Sequence, residues 1–256
     1  MNSTPPLPGK VYLIGAGPGA QDLMTLRGAR LLARADVVLH DALVTAEMLE
    51  LCPQAQQILV GKRCGQLSTA QAFINKQLID QAHKHAVVVR LKGGDPMLFG
   101  RADEELRALE EAGIEVEVVP GITTALAAAA ASKQPLTKRG AARSVAFFTS
   151  STAPGESAQT AVPDCDTLVQ YMGGREAIAT AQRLLDQGRP ADTPVVIMEN
   201  CSRPDQRIMR MPLAQLALGL GEKQGPVLVM LGQAMAMRAS QGADQEVLDA
   251  KPARQA

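Results

Sequence analysis

Two glycine-rich turns, each fed by a short apolar run, constrain what this chain can fold into. Val11-Tyr12-Leu13-Ile14 runs into Gly15-Ala16-Gly17-Pro18-Gly19, and Val87-Val88-Val89-Arg90-Leu91-Lys92 runs into Gly93-Gly94-Asp95-Pro96. Such runs are too short for stable helices and read as buried strands. In an open parallel sheet, ligands bind outside the carboxyl ends of the strands. Glycine there lets a ligand approach the backbone closely, because no Cβ stands in the way. Two such turns on one sheet imply a shared cleft for a small molecule with several polar groups. The same composition also serves plain strand-to-helix turns that hold no ligand.

The first turn departs from the dinucleotide fingerprint. That pattern, Gly-x-Gly-x-x-Gly, cradles a pyrophosphate with backbone N–H groups at a helix N-terminus. Here the glycines are Gly15, Gly17 and Gly19, one residue short, and Pro18 has no N–H to donate. A ligand without phosphates fits such a turn better. An NAD(P)-dependent oxidoreductase is the competing reading, since Asp41 lies where a ribose-binding acid would be expected.

Composition narrows the classes further. The 256 residues suit one large domain or two ordinary ones. Aromatic residues are only 2% with no Trp, so base-stacking surfaces for single-stranded nucleic acid are not expected. Twenty-six Lys and Arg balance 26 Asp and Glu, so no global field draws the protein to nucleic acid or membrane. Cys52, Cys64, Cys165 and Cys201 form no Cys-x-x-Cys pair and read as free thiols of a reducing compartment. No apolar run reaches the length of a membrane span, and the first ten residues lack an apolar signal core. The expected location is the cytoplasm. His40, His83 and His85 have no recognisable partner set, and no metal is expected.

Along the chain, strand and helix patterns alternate. Strands are predicted at 11–14, 36–40, 57–60, 86–91, 114–119, 144–149, 166–171, 194–199 and 226–231. Ser68-Thr69-Ala70-Gln71 reads as a capping box, after which Ala70, Ile74, Leu78 and Ala82 recur along one helix face. Helices at 103–112 and 175–187 are expected to end at Gly113 and Gly188. This alternation predicts two α/β domains with mainly parallel sheets and a ligand cleft between them. The expected boundaries are 9–120 and 121–238, with mobile tails at 1–8 and 239–256.

Several stretches together resemble the tetrapyrrole methylases, and within them the uroporphyrinogen-III C-methyltransferase branch. They are Gly15–Gly19, Ala35-Asp36-Val37-Val38-Leu39-His40-Asp41, Gly61-Lys62-Arg63, and the long block Arg90–Arg101 with Glu104-Glu105. Val118–Thr123, Pro135-Leu136-Thr137 and Tyr171-Met172-Gly173 continue the match, which covers about residues 9–235. The resemblance implies a homodimer that transfers methyl groups from S-adenosylmethionine to carbons of uroporphyrinogen III. The implied product, precorrin-2, lies on the sirohaem and cobalamin branch of tetrapyrrole synthesis. S-Adenosylmethionine carries no phosphate, which agrees with the proline in the first turn.

By the same resemblance, Pro18, Gly93, Gly94, Asp95, Leu98, Thr123, Thr124, Met172 and Cys201 line the S-adenosylmethionine site, Cys201 standing where the family has a glycine. Asp41 and Lys62 are the implied acid–base groups, and Arg101 and Glu104 face the substrate. Read from the residues alone, Asp41 also suits a helix cap, Lys62 a solvated loop, and Arg101 with Glu104 an i,i+3 surface pair. A polycarboxylate substrate asks for local positive charge. Lys62, Arg63, Arg101, Lys133, Lys138, Arg139 and Arg143 offer it, with Lys138 and Arg139 as the implied substrate-binding pair.

Departures from the family pattern cluster on the implied substrate side. Ala42 replaces an arginine, Lys138 a histidine, and Thr149-Ser150-Ser151 stands where Thr-Gly-His is expected. Ala102 and Asp103 replace glycine-type residues, and Ala20 replaces an acid. They leave two further readings open: a methyltransferase for a later corrin precursor, and a non-catalytic paralogue that binds S-adenosylmethionine or a tetrapyrrole.

Overall fold

In the computed structural model the described residues are 7–61, 71–151 and 161–237. The expected tails apart from Leu7 and Pro8, the residues Ser68 to Ala70 of the capping box, and Lys62, Arg63 and Cys64 lie outside them. The chain divides into two compact units. One runs to Ala127 and includes Ser202–Pro204; the other takes Ala128–Cys201 and the residues from Asp205.

The first unit alternates strand and helix without exception. In order it contains β1 (Lys10–Gly15), α1 (Leu26–Leu32), β2 (Val37–His40), α2 (Ala46–Leu49), β3 (Gln56–Leu59), α3 (Gln71–Ala82), β4 (Val87–Lys92), α4 (Ala102–Glu111) and β5 (Val116–Val119). The helix α5 (Thr124–Ser132) follows, and the division between units falls inside it. The sheet order is β3-β2-β4-β1-β5, and every pairing is parallel. Alternate strand residues face opposite layers. Val11, Leu13, Val37, Leu39 and Val88 pack with Ile74 and Leu78 of α3 and Leu109 of α4. Ile14, Val38, Val89 and Leu91 pack with Leu32 of α1 and Met48 of α2. Burying each such side chain stabilises the fold by about 1.5–3 kcal/mol.

Helix ends obey local chemistry. Thr25 caps α1 by accepting from the Gly28 N–H at 3.1 Å. Gly113, at φ 67°, follows α4, and the Ile114 N–H returns to the Leu109 carbonyl at 2.9 Å.

The second unit contains β6 (Val145–Thr149), β7 (Thr167–Tyr171), α6 (Gly173–Asp186), β8 (Pro194–Glu199), β9 (Arg207–Pro212), α7 (Leu213–Leu218) and β10 (Val227–Leu231). Its sheet order is β6-β7-β10-β8-β9. Each of the nine predicted strands is present within two residues of its expected ends, but β9 was not among them. That omission changes the topology. Only β6 and β7 pair in parallel; β7–β10, β10–β8 and β8–β9 are antiparallel. The mainly parallel expectation therefore holds for the first sheet and not for the second. The cause is one reversal, the short connection from β8 to β9, after which β9 and β10 run against the three earlier strands. Strand β9 was hard to read because it is a half-exposed edge strand, Arg-Ile-Met-Arg-Met-Pro, interrupted by two arginines.

One feature of the first unit is unusual for a core. Arg90 and Lys92 alternate with apolar residues on β4 and are almost fully buried, and Glu105 of α4 is wholly buried between them. Glu105 Oε1 accepts from Arg90 Nε at 3.0 Å and Oε2 from Lys92 Nζ at 2.8 Å. Gln71 Nε2 adds a third donor to Oε1 at 3.3 Å, and an Arg90 terminal nitrogen also donates to the Leu91 carbonyl at 3.1 Å. Burial, and next the Arg90 charge, hold the Lys92 ammonium below the usual lysine range, with Glu105 opposing them.

Removing one partner of a buried ion network is costly because it leaves charge unpaired. Glu105→Gln is expected to lose about 3–5 kcal/mol of stability by denaturant unfolding at neutral pH. Without the carboxylate, Lys92 releases its proton at lower pH than in the unfolded chain, so the unfolded state binds more protons. Stability then rises with pH. The deficit of the variant should shrink as pH climbs from neutral toward the ordinary lysine value of about 10.4.

Candidate functional site

The first sheet reverses its winding between β1 and β4. From β1 the chain crosses to β2 by α1 on one face; from β4 it crosses to β5 by α4 on the other. Neighbouring strands whose exits leave to opposite faces open a crevice at their carboxyl ends. Both glycine turns identified in the sequence stand at that crevice.

Three backbone segments meet there more closely than side chains allow. Gly17 and Gly94 pair with each other, the Gly94 N–H donating to the Gly17 carbonyl at 2.7 Å and the Gly17 N–H to the Gly94 carbonyl at 3.1 Å. A Cβ on Gly15 would lie 2.6 Å from Gly121 Cα, and one on Gly121 would lie 2.3 Å from the Gly94 oxygen. These glycines serve backbone packing. Gly94 differs: its φ is +70° and nothing lies within 4 Å of where its Cβ would be. It is the glycine of this cluster that leaves open space.

Asp95 fastens the cluster. One carboxylate oxygen accepts from the Met97 N–H at 2.8 Å and the other from the Gly121 N–H at 2.9 Å, so it ties the β4 turn to the β5–α5 turn. Pro18 and Leu98 sit half-buried in their turns, and Thr123 and Thr124 lie where that last turn enters α5. The first unit thus gathers Pro18, Gly93, Gly94, Asp95, Leu98, Thr123 and Thr124 on the turns at the strand ends. The site is not built for a pyrophosphate. A short 3-10 turn at Gln21–Leu23 separates the glycines from α1, and Thr25 already occupies a donor at that helix start.

Asp41 ends β2. Its Oδ1 accepts from the Leu43 N–H at 2.9 Å and its Oδ2 from the Gly93 N–H at 3.4 Å. The helix-cap alternative is set aside, because α2 begins after Thr45 and Asp41 closes a turn instead. Gly61 lies against it, since a Cβ there would be 2.9 Å from Asp41 Cβ. Arg101 precedes α4 in the left-handed conformation, φ 55°, as does Phe99 at φ 54°. Such strain concentrates at functional sites. Arg101 grips Glu104 with both prongs of its guanidinium, at 2.7 and 2.8 Å. The pairing raises the Arg101 proton affinity and lowers that of Glu104, and both groups remain half-exposed.

In the second unit Met172 and Cys201 follow β7 and β8, which run in the same direction, so both lie at one end of that sheet. Met172 is 49% exposed and left-handed, at φ 54°. Cys201 is buried, and burial pushes its thiol up to about 11. The wholly buried Glu199 holds this end together, accepting from the Gln224 and Gly225 N–H groups and from Arg207. Lys138 and Arg139 are exposed on a loop closed by backbone bonds between Lys138 and Ala142 at 2.8 and 2.9 Å. Ser150 is buried beside Gln170 and Thr180, accepting from Gln170 Nε2 at 3.2 Å. Among the described residues no cluster of three acidic, histidine or cysteine side chains could hold a metal, and no helix is long and apolar enough to cross a membrane.

Sequence reasoning missed the Arg90–Lys92–Glu105 network. The signal was available: charges at alternate positions of a strand otherwise made of Val and Leu must find a buried partner.

Comparison with known proteins agrees with this arrangement. Residues 10–217 match the family described as Tetrapyrrole (Corrin/Porphyrin) Methylases. The chain is 43% identical over 245 residues to a siroheme synthase of Pseudomonas fluorescens, covering 93% of this chain and 53% of that protein. It is 42% identical over 234 residues to the chloroplastic S-adenosyl-L-methionine-dependent uroporphyrinogen III methyltransferase of Arabidopsis thaliana, covering 88% and 63%. The chain therefore spans about half the length of the siroheme synthase and under two thirds of the plant enzyme. Among solved structures it resembles uroporphyrin-III C-methyl transferase of Thermus thermophilus complexed with S-adenyl homocysteine. The TM-score is 0.77 and the identity 40%, over 88% of this chain and 93% of the other. With the switch-point crevice, the glycine cluster and a family match over most of its length, this chain belongs to the tetrapyrrole methylases.

Proposed function

We propose that this protein transfers methyl groups from S-adenosylmethionine to carbon atoms of uroporphyrinogen III, yielding precorrin-2. One observation carries the reading: an open, left-handed Gly94 at the switch point of a phosphate-averse turn cluster, in a chain like a solved methyltransferase bound to S-adenyl homocysteine. S-Adenosylmethionine supplies a methyl on a sulfonium, already activated, so the protein has chiefly to align a nucleophile behind it. A carbon–carbon bond forms as the sulfur–methyl bond breaks, the sulfur keeps the electron pair, and a proton leaves the macrocycle.

The chain's residues divide that work. Gly93, Gly94 and Asp95 with Pro18, Leu98, Thr123 and Thr124 form the cofactor side in the first unit, and Met172 and Cys201 are its counterparts in the second. Asp41 is the acid–base group with Lys62, each carboxylate oxygen keeping a lone pair beyond its backbone bond. Arg101, Glu104, Lys138 and Arg139 face the polycarboxylate substrate, where arginine can bind carboxylates bidentately. The same reading includes a homodimer, which rests on family resemblance, acting in the cytoplasm, which rests on the unpaired cysteines of the sequence.

Mass spectrometry of uroporphyrinogen III after anaerobic incubation with the protein and S-adenosylmethionine tests the proposal. A gain of one or two methyl groups is expected. Binding of S-adenosylmethionine without any gain would refute uroporphyrinogen III as acceptor and turn attention to later corrin precursors.

Two variants separate the roles. Gly94→Ala adds a methyl where nothing touches it, and should cost about 1–2 kcal/mol of folding stability for the left-handed backbone. Its S-adenosylmethionine affinity by calorimetry should fall by about tenfold or more, equivalent to about 1.4 kcal/mol. Arg101→Ala should leave that affinity nearly unchanged and lower kcat/KM for the tetrapyrrole about 10- to 100-fold, the scale of a lost charge-assisted bond. Unchanged turnover would mean that Arg101 does not face substrate.

A further inference from the structure

Ser202, Arg203 and Pro204 follow β8 in sequence yet belong to the first unit. There they touch two turns of the candidate site. Ser202 Oγ accepts from the Ala20 N–H at 2.9 Å, next to the end of the first glycine turn. An Arg203 terminal nitrogen donates to the Leu43 carbonyl at 2.9 Å. Leu43 is the residue whose own N–H donates to Asp41 Oδ1 at 2.9 Å. Its side chain also lies against Gly93, where a Cβ would come within 2.9 Å of Leu43 Cβ. Thr45 Oγ1 closes the circuit by donating to the Gly19 carbonyl at 3.4 Å.

The distances rank these restraints. The direct bond from Gly93 to Asp41 is long, at 3.4 Å, as is that from Thr45 to Gly19. The bonds made by Ser202 and Arg203 are short, so they restrain the two turns more firmly. Ser202 also stands in the left-handed region at φ 58°, a conformation costing about 1–2 kcal/mol outside glycine. Its surroundings must outweigh that cost to hold it there.

We propose that Ser202 and Arg203 form a clasp that holds the Asp41 turn and the first glycine turn in register. Arg203 is a positioning residue for Asp41, acting through Leu43. Ser202 positions the exit of the Gly15–Gly19 turn through Ala20. The clasp rests on the reading of Asp41 as the acid–base group of methyl transfer, and it assigns to residues far along the chain a part in placing that carboxylate.

The test uses the full chain with uroporphyrinogen III and S-adenosylmethionine. Arg203→Met keeps the length and apolar stem and removes the donors; Arg203→Lys keeps a donor. The methionine variant should lower kcat about tenfold, equivalent to about 1.4 kcal/mol in the barrier. Its S-adenosylmethionine dissociation constant should stay within about twofold of wild type, and the lysine variant should recover most of the rate. Ser202→Ala should act on the other side, weakening S-adenosylmethionine binding several-fold. Unchanged kcat in Arg203→Met, equal losses in the methionine and lysine variants, or a kcat loss that merely follows a fall in Tm would overturn the clasp. Wild-type protein with no methyl transfer would instead overturn the functional reading, so the two failures are distinguishable.

Discussion

The first unit depends on a steric constraint at three peptide backbones. Gly15, Gly94 and Gly121 approach until a Cβ added to Gly15 or to Gly121 would stand 2.3–2.7 Å from the main chain of the other or of Gly94. No side chain fits at such distances, and the backbone hydrogen bonds between Gly17 and Gly94 form because nothing holds the segments apart. The turns after β1, β4 and β5 are thereby welded into one floor. Asp95 completes it by accepting from the N–H of Gly121. A rigid floor is what a site needs if a small sulfonium compound is to be aligned to within a fraction of an ångström.

Charge is arranged in two layers along α4. Glu104 and Glu105 are adjacent on α4 but point apart. Glu104 reaches outward to Arg101, while Glu105 is buried against Arg90 and Lys92. The buried layer fixes the helix to β4; the exposed layer is an internal ion pair at the helix start. Zero net charge over the chain conceals this local separation.

Much of this was legible in the sequence, because the strongest local signals lay where the site is. Short Val-rich runs ending in glycine named β1 and β4 and the turns that follow them. Gly113 and Gly188 marked the ends of α4 and α6. What escaped was non-local. Arg203 and Leu43 are separated by 160 positions, and no periodicity connects them. Strand β9 carries neither strict alternation nor bounding glycines, so the reversal of the second sheet was invisible. The burial of Ser150 was likewise not legible, because sequence does not reveal that Gln170 and Thr180 lie beside it in the interior.

The opposed directions of Glu104 and Glu105 carry a consequence for how this chain can diverge. Each helical residue turns the side-chain direction by about 100°, the angle implied by about 3.6 residues per turn. One residue inserted inside α4 between Ala102 and Glu104 would turn Glu105 by about 100° relative to the start of the helix, so the helix could not keep Ala102 and Glu105 buried together. Substitutions in that first turn, such as Ala102 and Asp103 themselves, leave the angle untouched. The first turn of α4 is therefore fixed in length, and insertions between homologous chains are expected outside it.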